Sequence, residues 1–130
     1  MSPLNPLGEL ERAVMNHLWE VHQADVKATW ATVGRRRRVT LNTIQSTMDR
    51  LFKKGLLDRA KVSHAFVYTP AITRAEFRVR VIRQAAEAVS GGEAEAMLAA
   101  FVEVAAEVGD DTLTRLEALI AERRKAGEER

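Results

Sequence analysis

The chain of 130 residues contains no cysteine. That excludes a disulfide framework, thiolate metal sites and a cysteine nucleophile, and it fits a reducing compartment. Long apolar runs are also missing, and none approaches the length that a membrane-spanning helix requires. The opening "MSPLNPLGELE" lacks the basic and apolar regions of a signal peptide. The expectation is a cytoplasmic protein with no membrane insertion. There is no internal repeat and no low-complexity segment apart from the charged end "ERRKAGEER", which is expected to fray. Catalytic signatures are absent too. Glu93 and Glu95 point to different sides of a helix, Gly91 and Gly92 lack the strand, lysine and hydroxyl of a phosphate loop, and no nucleophile stands beside a base. The chain reads as no enzyme and as requiring no cofactor.

What is present is enough length for one compact domain, or a small domain with an appended module, able to bury a core without staples. The net charge of +2 conceals an asymmetry. Residues 1–70 hold 11 Lys/Arg against 6 Asp/Glu, giving +5, while residues 71–130 hold 9 against 12, giving −3. A front end of this sign suits a polyanion.

Apolar periodicity divides the chain further. Asn5 and Pro6 suit the cap and first residue of a helix whose stripe is Leu7, Leu10, Val14, Leu18 and Val21. Asp25 caps a shorter helix through Val26, Trp30 and Val33, ending at Gly34 before the run Arg35 to Arg38. Thr40 caps a third, over residues 40–54, which stops near Gly55. Then "LLDRA" and "AFVYTP", separated by "KVSH", read as two antiparallel strands, with Pro70 ending the second. Helical period returns from Thr73. Ile82, Ala85, Ala86 and Val89 form one stripe before a break at Gly91 and Gly92. Met97, Leu98, Phe101, Val102 and Ala105 form another before Gly109, and Leu113, Leu116, Leu119 and Ile120 form the last.

The third helix carries the functional signal. Leu41, Ile44, Met48, Leu51 and Phe52 share one face. The opposite face collects Asn42, Thr43, Ser46, Arg50, Lys53 and Lys54, all hydrogen-bond donors and none a carboxylate. Any surface helix is polar outside. The order of three helices and a ribbon, together with the charge bias, is what points to a winged helix-turn-helix placing this face in a DNA major groove. Arg35, Arg36, Arg37 and Arg38 lie between the two helices of that motif and are read as phosphate contacts, though not by all four. His17 and His22 are five residues apart and diverge on a helix, so no metal site is expected. Trp19 and Trp30 sit on or beside apolar stripes and are read as core.

The stretches "LGELERAVMNHLWE", "TLNTIQSTMDRLFKKGLL", "AFVYTPAITRAEF" and "MLAAFVE" resemble the penicillinase and methicillin-resistance repressors, often called the BlaI/MecI/CopY type, from about Leu7 to Leu119. The resemblance implies a homodimeric winged-helix repressor on a dyad-symmetric operator, with C-terminal helices forming the dimer. It implies that Thr43, Ser46 and Thr47, with Asn42 and Arg50 beside them, lie at or near the groove. Wings in the family commonly read Gly-Arg before the aromatic strand, where Ser63 and His64 stand here. The copper-responsive branch uses C-terminal cysteines, which this chain lacks, so copper-thiolate sensing is excluded. In the antibiotic-responsive branch a membrane sensor metalloprotease triggers cleavage at an Asn-Phe bond, and the aligned pair here is Ala100 and Phe101.

The expected architecture is therefore mainly α: a winged helix-turn-helix domain over residues 1–70, with three helices and a two- or three-stranded wing, then a three-helix dimerisation region over residues 71–130. The expected DNA contacts are Arg35 to Arg38, Thr40, Asn42, Thr43, Ser46, Thr47, Arg50, Lys53, and Lys61 and His64 on the wing. The expected dimer residues are Ile82, Met97, Leu98, Phe101, Val102, Leu113, Leu116, Leu119 and Ile120. Partners are double-stranded operator DNA, a second copy of the chain and, if derepression is by proteolysis and not by another signal, a membrane sensor metalloprotease, with Ala100 and Phe101 as the candidate bond. Two rivals remain open: a regulator with a small-molecule pocket among the C-terminal helices, and a winged helix that binds an acidic protein instead of DNA.

Overall fold

A computed structural model of the chain describes residues 7–90 and 93–129. Asn5 and Pro6, the expected start of the first helix, lie outside them, as do Gly91 and Gly92, the expected break. Helix α1 spans Glu9–Val21. The Glu11 side chain accepts from the Gly8 N–H at 3.1 Å, and Glu9 and Glu11 sit at the positive end of the helix dipole. Its inner stripe buries Val14, Met15 and Leu18.

The second helical stretch departs from expectation. After strand β1 (Ala24–Asp25), Asp25 caps α2 (Val26–Thr29) by accepting from the Ala28 N–H at 2.7 Å. The helix then widens into a π-turn (Trp30–Gly34) and continues as α3 (Arg35–Arg37). Gly34 does not end it. A Cβ there would overlap Cδ1 of Trp30 and lie 3.1 Å from Cγ1 of Ile44, so the glycine serves close packing inside the helix. The chain leaves the helix four residues later, at Arg38, whose φ of 56° is left-handed. The Trp30 indole then donates to the Val39 carbonyl at 2.9 Å and closes the turn.

Helix α4 (Leu41–Lys53) is capped by Thr40, whose hydroxyl accepts from the Thr43 N–H at 3.1 Å. It buries Ile44, Thr47, Met48 and Leu51. Leu41, expected on that face, is exposed because it sits on the first turn, beyond the reach of the core. Gly55, with φ of 79°, turns the chain into β2 (Leu57–Val62), which pairs antiparallel with β3 (Ala65–Pro70). Lys61 and Val62 belong to the strand, opposite Phe66 and Ala65, so the loop is Ser63 and His64 alone. Strand β1 joins the far edge of β3, and the sheet order is β1-β3-β2. Helices, strands and the turn between α3 and α4 enclose one core that includes Leu7, Leu56, Leu57, Tyr68 and Ile72. The whole is a winged helix.

Helix α5 (Arg74–Ser90) starts from a Thr73 hydroxyl that accepts from the Glu76 N–H at 3.0 Å. Its base is tied to α1, since Trp19 donates to the Ile72 carbonyl at 2.9 Å and its ring meets Phe77 at 5.5 Å. The first compact unit consequently extends through Ala85, and a second begins at Ala86, whereas the sequence reading put the border at 70/71. In the second unit α6 (Ala94–Val108) and α7 (Asp110–Glu128) pack as a pair around the buried Ala105. The end expected to fray is helical through Glu128, as a run of strong helix formers from Ala121 to Ala126 favours.

One ion pair ties α1 to α4: Nζ of Lys54 lies 2.8 Å from Oε2 of the nearly buried Glu11. Burial raises the Glu11 pKa, but the hydrogen bonds from Lys54 and the Gly8 N–H, with the charges of Lys54 and Arg50, outweigh it and hold the pKa below its ordinary value. A depressed carboxylate stabilises the fold above its unfolded pKa and loses that contribution as pH falls through the folded value. Replacing Glu11 by Gln should therefore flatten the decline of unfolding free energy below about pH 5, as read by urea melts across pH. Replacing Gly34 by Ala should destabilise the first unit by roughly 1–3 kcal/mol in the same assay, because the added methyl overpacks against Trp30 and Ile44.

Candidate nucleic-acid interface

The outward face of α4 is built by its caps and its buried stripe. With Ile44, Met48 and Leu51 anchored in the core, Asn42, Thr43, Ser46, Arg50 and Lys53 are exposed. Thr40 and Thr43 share a hydroxyl hydrogen bond of 2.9 Å, which orients both at the first turn. Thr47 is different from the others on this expected set. It is fully buried, and its hydroxyl donates to the Thr43 carbonyl at 2.7 Å. It is a packing residue that no base edge can reach. Its hydroxyl also accepts from Nη2 of Arg50 at 3.3 Å, steadying one end of that guanidinium.

Asp49 corrects the reading that this face carries no carboxylate. It follows Asn42 by seven residues, so the two lie about 20° apart in projection. Its side chain is 37% exposed and is held by Nζ of Lys53 and by Nη1 of Arg59, each at 3.0 Å. Hydrogen bonds from Lys53 and Arg59 keep its pKa below the ordinary value despite partial desolvation. Arg59 comes from β2, opposite Tyr68 on β3. Its guanidinium lies 4.0 Å from the ring centroid of Phe52 and 4.3 Å from that of Phe66. Hydrogen bonding to Tyr68, then to Asp49, raises its pKa against the opposing effect of burial. Reading of the single strand "LLDRA" could not reveal this cluster, which needs the hairpin register to bring Phe66 and Arg59 to one side of α4.

The four arginines do not act alike. Arg35 lies over the Trp30 ring at 5.4 Å, and Arg37 bonds Glu9 on α1 at 3.1 Å. Arg36 lines a hollow with Asn16, His17 and Glu20. Arg38 occupies the turn itself. All four remain exposed, as do Lys61 and His64 on the wing. Ser63 in the wing loop has a left-handed φ of 60°, a conformation that glycine adopts more readily. Trp19 and Trp30 spend their indole N–H groups on main-chain carbonyls inside the first unit. Among the described residues no group of three or more His, Asp or Glu side chains converges on a point that could hold a metal ion.

The residues expected to form a dimer are largely uncovered. Ile82 on α5, Leu98, Phe101 and Val102 on α6, and Leu119 and Ile120 on α7 are exposed, while Met97, Leu113 and Leu116 are half-buried. Val104 and Val108, which periodicity did not single out, join Phe101, Leu116 and Leu119 along a shallow apolar groove of about 280 Å³ between α6 and α7. Ala100 is exposed on α6.

Comparison with known proteins agrees with this architecture. The family model described as penicillinase repressor matches residues 7–122. A transcriptional regulator BlaI of Mycobacterium tuberculosis is 34% identical over 124 residues, covering 94% of this chain and 88% of the relative. The solution structure of the DNA-binding domain of the repressor BlaI has a TM-score of 0.51 at 28% identity, over 58% of this chain and 93% of that one. A solved complex of hsRosR, at 17% identity and a TM-score of 0.51 over 96% of this chain and 98% of that one, shows likeness of fold. On the extent of the family match and the identity to its relative, the chain belongs to the penicillinase repressor family.

Proposed function

We propose that the chain is a sequence-specific DNA-binding repressor that acts as a homodimer on a palindromic operator. The observation that carries this reading is the outward face of α4, where Asn42, Thr43, Ser46 and Arg50 stand exposed on a capped helix whose only carboxylate is already neutralised. A major groove about 12 Å wide admits such a helix, and these side chains match the donors and acceptors of base edges. Arg36 and Arg38, which among the described residues lack the ring and carboxylate that occupy Arg35 and Arg37, are the phosphate contacts beside it, and Lys61 and His64 approach the backbone from the wing. The likeness to the solved DNA-binding domain of the repressor BlaI, over 58% of this chain, supports the assignment of this role to the first unit.

The second half of the chain supplies the dimer. Apolar side chains left exposed along α6 and α7, with Leu98 at 62% and Val108 at 75% exposure, are what a two-fold partner would cover. Joining two half-sites raises the effective concentration of the second, so repression depends on that interface. Derepression then follows from cutting α6 between Ala100 and Phe101, with a membrane sensor metalloprotease as the partner. The bond lies within a helix, so local opening must precede the cut.

Gel shifts and salt titrations test the assignment with duplex enriched from a random pool by the wild-type chain. Replacing Ser46 or Arg50 by Ala should cost roughly 1–3 kcal/mol and relax base preference, whereas Arg36→Ala or Arg38→Ala should weaken enriched and random duplex alike and reduce the salt slope by about one. Equal loss on all sequences from Arg50→Ala would make it a backbone contact. A chain truncated after Ala100, the product of the proposed cut, should bind the palindrome weaker by orders of magnitude, roughly to the affinity for a single half-site. Undiminished binding by that chain would remove the dimer from the reading.

A further inference from the structure

A carboxylate on a helix face that meets phosphate is an electrostatic cost unless a counter-charge stays with it. Asp49 has two cations, and they are not equivalent. Lys53 is four residues along the same helix, its side chain 71% exposed and its stem free to rotate, so its pairing is weak and readily screened. Arg59 is 24% exposed and fixed on both sides by the rings of Phe52 and Phe66. A planar guanidinium suits this slot and an ammonium does not. The cluster also joins three elements: Phe52 and Asp49 lie on α4, Arg59 on β2 and Phe66 on β3.

We propose that Arg59 is a positioning residue for DNA recognition: it masks the Asp49 carboxylate on the outward face of α4 and, through the Phe52–Arg59–Phe66 stack, holds the hairpin at a set distance from that helix. This rests on the DNA-binding reading given above. Arg59 acts through Asp49, not on DNA. Its guanidinium is committed to the carboxylate, to Tyr68 and to the two rings, and the charge it cancels lies within two helical turns of Asn42, Ser46 and Arg50. Removal of Arg59 should therefore harm binding chiefly by uncovering Asp49, and removal of the carboxylate should repair the harm.

The test is a double-mutant cycle on the full chain, with affinity measured by fluorescence anisotropy on duplex enriched by the wild type and on random duplex. Arg59→Gln keeps an aliphatic stem between the two rings while discarding the charge, and thermal melts confirm that the hairpin stays folded. It should lower affinity about tenfold on both duplexes, with the loss shrinking as salt rises and screens the repulsion. Adding Asp49→Asn should recover most of that loss, and the gain should exceed the gain in the wild-type background by at least about threefold. Arg59→Lys, which keeps the charge, should lose less than Arg59→Gln. A purely structural role would give no rescue by Asp49→Asn. Equal gains from Asp49→Asn in both backgrounds, wild-type affinity for Arg59→Gln, or equal losses for Lys and Gln would each overturn the inference. If the wild-type chain enriches no duplex, the DNA reading falls and takes this inference with it; if it enriches one and the cycle shows no coupling, the inference falls alone.

Discussion

Trp30 and Ile44 close on bare backbone at Gly34, and that contact sets where α4 can lie. The π-turn widens the second helix at this point, the absence of a Cβ lets α4 approach, and Val39 is drawn in by the Trp30 indole. The start of the outward face follows from this packing. Thr40 reaches its capping position because the chain turns at Arg38. Ile44, Met48 and Leu51 then point into the core formed with α1, and Asn42, Ser46 and Arg50 point away from it.

Charge is arranged on this scaffold by internal cancellation. Glu11 is nearly buried against Lys54, Asp49 is held by Lys53 and Arg59, and Glu9 takes Arg37. The first two pairs offset carboxylates on or against α4, while Glu9 remains exposed on α1. The arginines and hydroxyls left over give that surface its cationic, donor-rich character. The pairing places charge without changing its sum: Arg37, Lys53, Lys54 and Arg59 offset Glu9, Glu11 and Asp49, and the excess of cations over the first 70 residues remains.

The two units differ in how they satisfy their apolar residues. The first buries a continuous core with Leu7, Val14, Leu18, Met48, Leu57, Tyr68 and Ile72, and uses Trp19 and Phe77 to fix the base of α5. The second has two helices meeting around Ala105, and a single pair of helices has too little inner surface to cover Leu98, Val102, Val104 and Ile120. Apolar groups in that state favour association.

Much of the helical framework was legible in the sequence, because a stripe such as Ile44, Met48 and Leu51 records a buried face directly in its spacing. Caps at Asp25 and Thr40, the turn at Gly55 and the end of the second strand at Pro70 were legible for the same local reason: each depends on a few neighbouring residues. The family resemblance over most of the chain was likewise present in residue order. Other features required the tertiary structure because they depend on distant elements. Gly34 reads as a stop by local propensity, yet contact with Ile44 keeps it inside a helix. Thr47 reads as a surface hydroxyl, yet it is buried beneath Thr43. Asp49 belongs to the outward face, and its second cation arrives only when the hairpin register carries Arg59 and Phe66 beside Phe52. Spacing along a helix determines which residues share a face, whereas the partner that face meets is decided by the packing of segments that the chain brings together from elsewhere.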